Sequence, residues 1–436
     1  MTSFDLLIKN VDIITMDDKS MLIKDGYIGI KDGKISFVSE SLPKDIISKN
    51  EIDGKGKIAM PGLVNAHSHS AMTLMRNYAD DIGLEAWLFD NIFPIEAKLT
   101  EKDVYWGTML GIAEMLKSGV VAFADMYMFM DEVARAVTET GIKANICKSP
   151  IQFFEGGELK RLDKSQGTID YYNRYHNSAD GRIKVFVEIH STYMFNEKTL
   201  SNAAALAKQL NTGIHIHLLE TTTEVQSSKR DYGMTSVEIC KKTGVLDVPV
   251  LAAHCVHMTD SDLEIMKAMG CSIVHNPTSN LKLGSGIANV PQMLDMGINV
   301  CLGTDGAASN NNLNMFEEMN LAALIHKGVA MDPQLMNANT VLKMGTCNGA
   351  KALGFDDSGV IKVGMKGDVI LIDTDKPHFY PKNNPVSAII YSAQASDVDT
   401  VIVDGKIIMQ DRTFKNIDEE RIKYEVDALS NKLLGW

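Results

Sequence analysis

Between Pro61 and Gly359 the chain repeats one pattern eight times: a short apolar run, then an amphipathic stretch. The runs are "GLVNAHSH", "VVAFADMY", "KANICKS", "IKVFVEIH", "TGIHIHLLE", "VPVLAAHC", "CSIVHNP" and "INVCLGTD". Eight strand-plus-helix units in roughly 300 residues predict a (β/α)8 TIM-like barrel, an α/β fold. An open doubly wound sheet would want a Gly-rich phosphate loop after the first strand, and "NAHSHSAMT" is not one.

The two ends read differently. "YIGIKDGKISFVSE" is a pair of β-rich arms around Asp32-Gly33, and "TVIVDGKIIMQD" repeats the device around Asp404-Gly405. We therefore expect residues 1–60 and 361–436 to form a small β-sandwich from both chain termini, flanking the barrel of residues 61–360. The tail adds a helix with Ile422, Val426, Leu429 and Leu433 on one side. It is expected to pack on its own barrel, with a homo-oligomer contact as the alternative.

Composition narrows the function classes. A net charge of -13 and no basic stripe argue against nucleic acid and anionic membranes as partners. No apolar run is long enough to span a bilayer, and the N-terminus lacks the pattern of a secretory signal. The six cysteines form no CxxC pair, as expected of reduced thiols in a cytoplasmic protein.

The polar residues gather where the strands end: His67, His69, Asp125, His190, His217, Glu220, His254, His275 and Asp305. Barrel active sites lie at that end. Residues two apart on a strand face the same side, so His67 and His69 can address one point. Alone, such a pair could equally be satisfied polar residues. His215 and His217 repeat the spacing; His217 lies nearer the strand end, and His215 reads as a packing or supporting group below it. Asp305 adds a carboxylate, although it could also serve as a helix N-cap. Three histidines and one aspartate suit one divalent metal ion with an open position for water: zinc, or alternatively iron, manganese or nickel. A metal lowers the pKa of water from about 16 to near 7. Glu220, close to the metal but not bound to it, can then move protons, and His254 can assist the attacking water. A second metal would need a bridging ligand. The fourth strand ends in His190 with no lysine, so one metal is expected and His190 is free to face substrate.

In this order "PGLVNAHSHSAMTLMR", "HLLET", "AHCVH", "HNPTSNLKLGSG" and "GTDGAASNNN" resemble the amidohydrolase superfamily. More narrowly they resemble its 5-methylthioadenosine/S-adenosylhomocysteine deaminases, over nearly the whole chain. The resemblance implies metal ligands at His67, His69, His217 and Asp305, an acid/base at Glu220 and a water-assisting histidine at His254. It also implies that Glu96 binds the ribose hydroxyls, that Trp87 lines the purine pocket and that His190 contacts substrate. The family's two carboxylate-binding arginines match Arg161 and, as a departure, Lys148. A lysine cannot make the forked bond of an arginine. Activity on S-adenosylhomocysteine is thus less expected than on 5-methylthioadenosine or adenosine.

The implied reaction is hydrolytic deamination of an adenine nucleoside, a small-molecule substrate, to its inosine analogue and ammonia. A guanine or triazine-type hydrolase on the same scaffold is the alternative. A catalytically silent barrel that only binds partners stands further off, because the metal-type residues are all present.

Overall fold

The computed structural model describes residues 2–19, 21–155 and 158–435. Eight parallel strands form the barrel: β1 (Leu63–Ser68), β2 (Val120–Asp125), β3 (Lys143–Lys148), β4 (Ile183–Ile189), β5 (Ile214–Leu218), β6 (Val250–His254), β7 (Ser272–His275) and β8 (Asn299–Leu302). They are hydrogen-bonded in sequence order from β1 to β8. Each lies within the run expected of it, shorter by no more than three residues at either end.

No ladder joins β8 to β1 among the described residues, and the ring closes by other means. The Asp305 N–H donates to the His67 carbonyl (3.0 Å). The Asn65 side chain grips Thr304 twice, accepting from its N–H (3.0 Å) and donating to its Oγ1 (2.7 Å). Gly303 makes this approach feasible: a Cβ there would lie 2.8 Å from the His67 nitrogen.

Small and branched residues, with one phenylalanine, fill the lumen: Val64, Ala66, Ala122, Ala124, Cys147, Phe186, Leu251 and Val274 among them. The opposite strand faces pack against the surrounding helices in the larger apolar core. Several helices start on capping boxes, at Thr100, Asn196, Thr235 and Thr259, which satisfy the free N–H groups of their first turns.

Both chain ends build one nine-stranded sheet. The strand Lys57–Pro61 runs antiparallel to Val369–Asp373 and joins the N-terminal strands to the C-terminal ones. Asp32-Gly33 and Asp404-Gly405 turn its hairpins with positive φ at all four residues, as expected. The small β unit is therefore a single hydrogen-bonded network around its own apolar core of Leu6, Ile8, Ile28, Ile30, Leu371 and Ile402.

A buried charge cluster fastens this sheet to the barrel. Lys143, at the start of β3, bonds Asp368 and lies 2.8 Å from Asp404, with Ser358 Oγ at 3.1 Å. Burial works against the ammonium, yet the two carboxylates outweigh it and raise the lysine's pKa. The tail helix, Glu419–Leu434, buries Ile422 and Val426, and Ser430 Oγ donates to the Leu74 carbonyl (2.8 Å). It packs on its own barrel, as expected. Among the described residues no helix is long and apolar enough to cross a membrane.

Candidate functional site

The strand pleat brings the first pair of histidines to the barrel mouth. Ser68, between them, turns away and donates to the Ala124 carbonyl (2.7 Å). The His69 Nδ1 donates to the Met126 carbonyl, and the His217 Nδ1 to the His190 carbonyl (2.7 Å). Each bond places the ring proton on Nδ1 and leaves the Nε2 lone pair facing inward. The His67 Nδ1 is 2.9 Å from the Nε2 of His215. His215 thus holds a ring of the site in place from the layer below.

The inward atoms converge. The His69 and His217 Nε2 atoms are 3.3 Å apart, and Asp305 Oδ1 stands 3.3 Å from the His67 Nε2 and 3.2 Å from that of His69. The His67 Nε2 is buried and has no hydrogen-bond partner. Lone pairs gathered this closely, in a buried setting, call for a cation between them. The local field agrees: although burial opposes it, Asp305 pushes His69 up to about 9. Asp305 itself is held well below the carboxylate range, because the adjacent rings of His67 and His69 outweigh its burial. His67, His69 and His217 could hold a metal ion together, as could His67, His254 and Asp305. The donor set fits one divalent ion with nitrogen and oxygen ligands.

Two serines fix the carboxylate. Ser279 and Ser309 donate to Asp305 Oδ2 (2.6 and 2.8 Å), leaving Oδ1 for the centre. Asp305 and His254 both have left-handed backbone, at φ 62° and 72°. Such strain in non-glycine residues is characteristic of functional sites.

Glu220 lies just beyond β5, buried, with its Oε2 3.7 Å from the His254 Nε2. Ser285 Oγ donates to its other oxygen (3.3 Å). Burial pushes the Glu220 carboxyl up, which suits a group that must both take and give a proton. The His254 Nδ1 lies 2.8 Å from Asn280 Oδ1 and 3.3 Å from Asn276 Nδ2, and its Nε2 faces Glu220. A cleft of about 300 Å³ opens beside this pair, lined by residues 83–86, Thr221, Thr222 and residues 283–285.

The remaining expected residues are spread around the mouth. Glu96 is buried at the end of a short helical turn, Phe93–Glu96, and faces Tyr127. Trp87 sits in a π-helical turn, Ala86–Ile92, packed with Met72, Met75 and Leu283, and its buried Nε1 has no hydrogen-bond partner. The His190 ring lies 4.9 Å from that of His217 and borders Phe93, Phe153 and Tyr193. Lys148 ends β3, half-buried, its Nζ 5.5 Å from the Tyr171 ring. Arg161 is exposed on the strand Glu158–Asp163, where its Nε donates to the Met194 carbonyl (2.6 Å). The structure thus gathers His67, His69, His217, His254, Glu220 and Asp305 into one cluster, and engages Lys148 and Arg161 outside it.

Sequence reasoning overlooked the supporting groups Ser279, Ser285, Ser309 and Asn280. Their only signal is a place in "NPTSNLKLGSG" and "GTDGAASN", after strands that end in functional residues.

Comparison with known proteins adds the following. The profile described as "Amidohydrolase family" matches residues 58–408, and "BsNagA composite domain" matches residues 5–54. The chain is 57% identical to the 5-methylthioadenosine/S-adenosylhomocysteine deaminase of Acetivibrio thermocellus, over 99% of this chain and 100% of that one. It is 44% identical to the 5'-deoxyadenosine deaminase of Methanosarcina barkeri, over 99% and 98%. The crystal structure of an adenosine deaminase from Xanthomonas campestris with bound zinc superposes with a TM-score of 0.93 at 30% identity, over the whole of both chains.

Proposed function

We propose, for a chain that belongs to the amidohydrolase family, hydrolytic deamination of an adenine nucleoside to the inosine analogue and ammonia. The candidate substrates are 5-methylthioadenosine, S-adenosylhomocysteine, adenosine and 5'-deoxyadenosine, after the names of its relatives. The observation that carries the reading is the inward convergence of His67, His69, His217 and Asp305 beside a buried Glu220.

Those four residues are the ligands in this reading, and zinc is the proposed ion, as in the Xanthomonas structure. When bound, the ion supplies a water ionised at neutral pH. With a water held there, Glu220 would take one of its protons and hand it to the ring nitrogen beside C6 as the oxygen adds to that carbon, while Asp305 and His254 would orient the water and take up its other proton. That second proton would pass to the C6 amino group, which leaves as ammonia when the C6–N bond breaks. Glu96 accepts hydrogen bonds from the ribose hydroxyls. Trp87 and His190 flank the base and sugar.

Three segments complete the proposal: residues 1–60 and 361–436 as the terminal β unit, and 61–360 as the catalytic barrel. The cysteines are all unpaired, which supports a cytoplasmic setting.

The test is ammonia release and the ultraviolet change from adenine to hypoxanthine, using metal-replete protein on the nucleoside panel. Turnover is expected, with Glu220→Gln slower by about 10²–10⁴-fold. No turnover on any of these nucleosides would overturn the reading. Turnover confined to guanine or a triazine would favour the alternative on the same scaffold.

A further inference from the structure

Glu220 stands just before a helix, and one buried side chain of that helix holds its backbone. Thr221 caps the helix Thr222–Tyr232, its side chain accepting from the Glu224 N–H (3.2 Å). Threonine at the cap and glutamate three residues on are the two parts of a capping box, in which the glutamate reaches back to the N–H of the cap residue. The next helix, Ser236–Lys242, is built that way: Glu238 Oε2 accepts from the Thr235 N–H (2.8 Å). Glu224 departs from the pattern. Its Oε2 passes the cap and accepts from the Glu220 N–H (3.1 Å).

The burial of Glu224 departs too. Glu238 is exposed, as a residue that only caps a helix can be, whereas Glu224 is 3% exposed. A carboxylate is costly to bury unless its oxygens are satisfied. The second oxygen of Glu224 accepts from Thr192 Oγ1 (3.2 Å), which lies 3.1 Å from Ser236 Oγ. Its partners are peptide N–H groups and hydroxyls, and burial pushes the carboxyl up against their pull.

What the bond to Glu220 holds is a strained turn. β5 ends at Leu218, and Leu219 is left-handed, with φ 50°. Such backbone is uncommon for a bulky residue and persists only where its surroundings hold it. The Leu219 carbonyl accepts from the His257 N–H (3.0 Å), and the Glu220 N–H donates to Glu224. These two groups belong to one peptide unit, so the chain is clamped on both sides at the point where Glu220 begins. That unit sets the direction in which the Glu220 side chain leaves the backbone, toward the His254 Nε2 at 3.7 Å.

We propose that Glu224 is a positioning residue for Glu220: its carboxylate fixes the Leu219–Glu220 peptide in the left-handed turn that sets the Glu220 side chain beside His254. The assignment rests on the proton-carrying role of Glu220 proposed above. Glu224 acts through the backbone of Glu220, by reach and not by charge.

Two variants separate reach from charge. Glu224→Gln keeps the length: its carbonyl oxygen can accept from the Glu220 N–H, while its amide donates to the Thr192 hydroxyl, which turns to accept. Glu224→Asp keeps the charge and is shorter by one carbon, about 1.5 Å. The experiment measures kcat and KM for 5-methylthioadenosine, referred to bound metal so that an unfolded fraction drops out. Glu224→Gln should turn over at close to the wild-type kcat. Glu224→Asp should lose about 10²-fold in kcat with KM little changed. The double variant Glu220→Gln/Glu224→Asp should be no slower than Glu220→Gln alone, because a residue that acts through Glu220 then has nothing left to position. Losses that multiply in the double variant would overturn the assignment. So would a Glu224→Asp variant as fast as wild type, or a Glu224→Gln variant as slow as Glu224→Asp. A wild type without nucleoside turnover, or a Glu220→Gln variant as fast as wild type, would instead overturn the reading of Glu220, and this assignment with it.

Discussion

The Nε2 atoms of His69 and His217 face each other at 3.3 Å, while each ring gives its Nδ1 proton to a backbone carbonyl. Two lone pairs at that distance repel unless something positive lies between them. The backbone at Met126 and His190 thus does more than hold two rings: it selects the tautomer that leaves both Nε2 lone pairs open to a cation.

Metal removal is the direct consequence. Stripping divalent ions with a chelator should abolish activity and lower the melting temperature, and zinc should restore both. A ligand at 1,000 times its Kd stabilises the folded state by about 4 kcal/mol. His67→Ala should lose metal and activity. Ser68→Ala, whose hydroxyl points to the Ala124 carbonyl, should keep both at a cost of about 1 kcal/mol. Metal content per chain and thermal melts read the outcome. One ion per chain in His67→Ala would remove that residue from the site.

A second consequence concerns pH. Glu318 is fully buried, accepting from Asn310 Nδ2 (2.7 Å) and the Thr278 N–H (3.3 Å), and burial pushes its carboxyl up to about 7. In the unfolded chain it would titrate near about 4.3. Between these values the folded state holds a proton that the unfolded state has released, so stability falls as pH rises. The penalty is absent below about pH 4.3 and complete above about pH 7, on the order of 3 kcal/mol. Denaturant titrations of wild type and Glu318→Gln at pH 5 and pH 8 should show the variant gaining on the wild type at the higher pH. A difference that stays flat would mean that Glu318 does not titrate in this window.

The link between sheet and barrel is equally testable. Lys143→Met leaves Asp368 and Asp404 buried without their shared ammonium. Removing one partner of such a cluster costs about 3–5 kcal/mol. Chemical denaturation should register that loss. A change under about 1 kcal/mol would show that water reaches these carboxylates.

The barrel was legible because each of its strands is an apolar run with a polar residue near the end, a pattern that survives without any knowledge of pairing. The cluster was legible for the same reason: His67, His217, His254 and Asp305 each end or follow a strand. The supporting hydroxyls were not, because serine has no spacing rule and Ser279 and Ser309 matter only through where Asp305 points. The hairpin formed by Ile151–Glu155 and Glu158–Asp163 lies outside the strand-like runs read from the sequence. Its β-rich arms around two glycines did carry a hairpin signal. The Lys143 cluster was hidden because it joins residues far apart in the chain, and a lone lysine in a strand reads as exposed. Likewise, two hairpin-rich ends do not reveal that Lys57–Pro61 and Val369–Asp373 pair into one sheet.

The hydrogen bond from the Asp305 N–H to the His67 carbonyl has a bearing on how the protein is made. The first two histidines leave the ribosome early, whereas the aspartate emerges only after the eighth strand. The contact that closes the ring also brings in the last of the four proposed ligands. A nascent chain therefore offers an ion imidazoles without the carboxylate, and full coordination waits for the complete barrel. In the proposed site, discrimination among metals by geometry as well as by ligand chemistry therefore waits on the complete barrel.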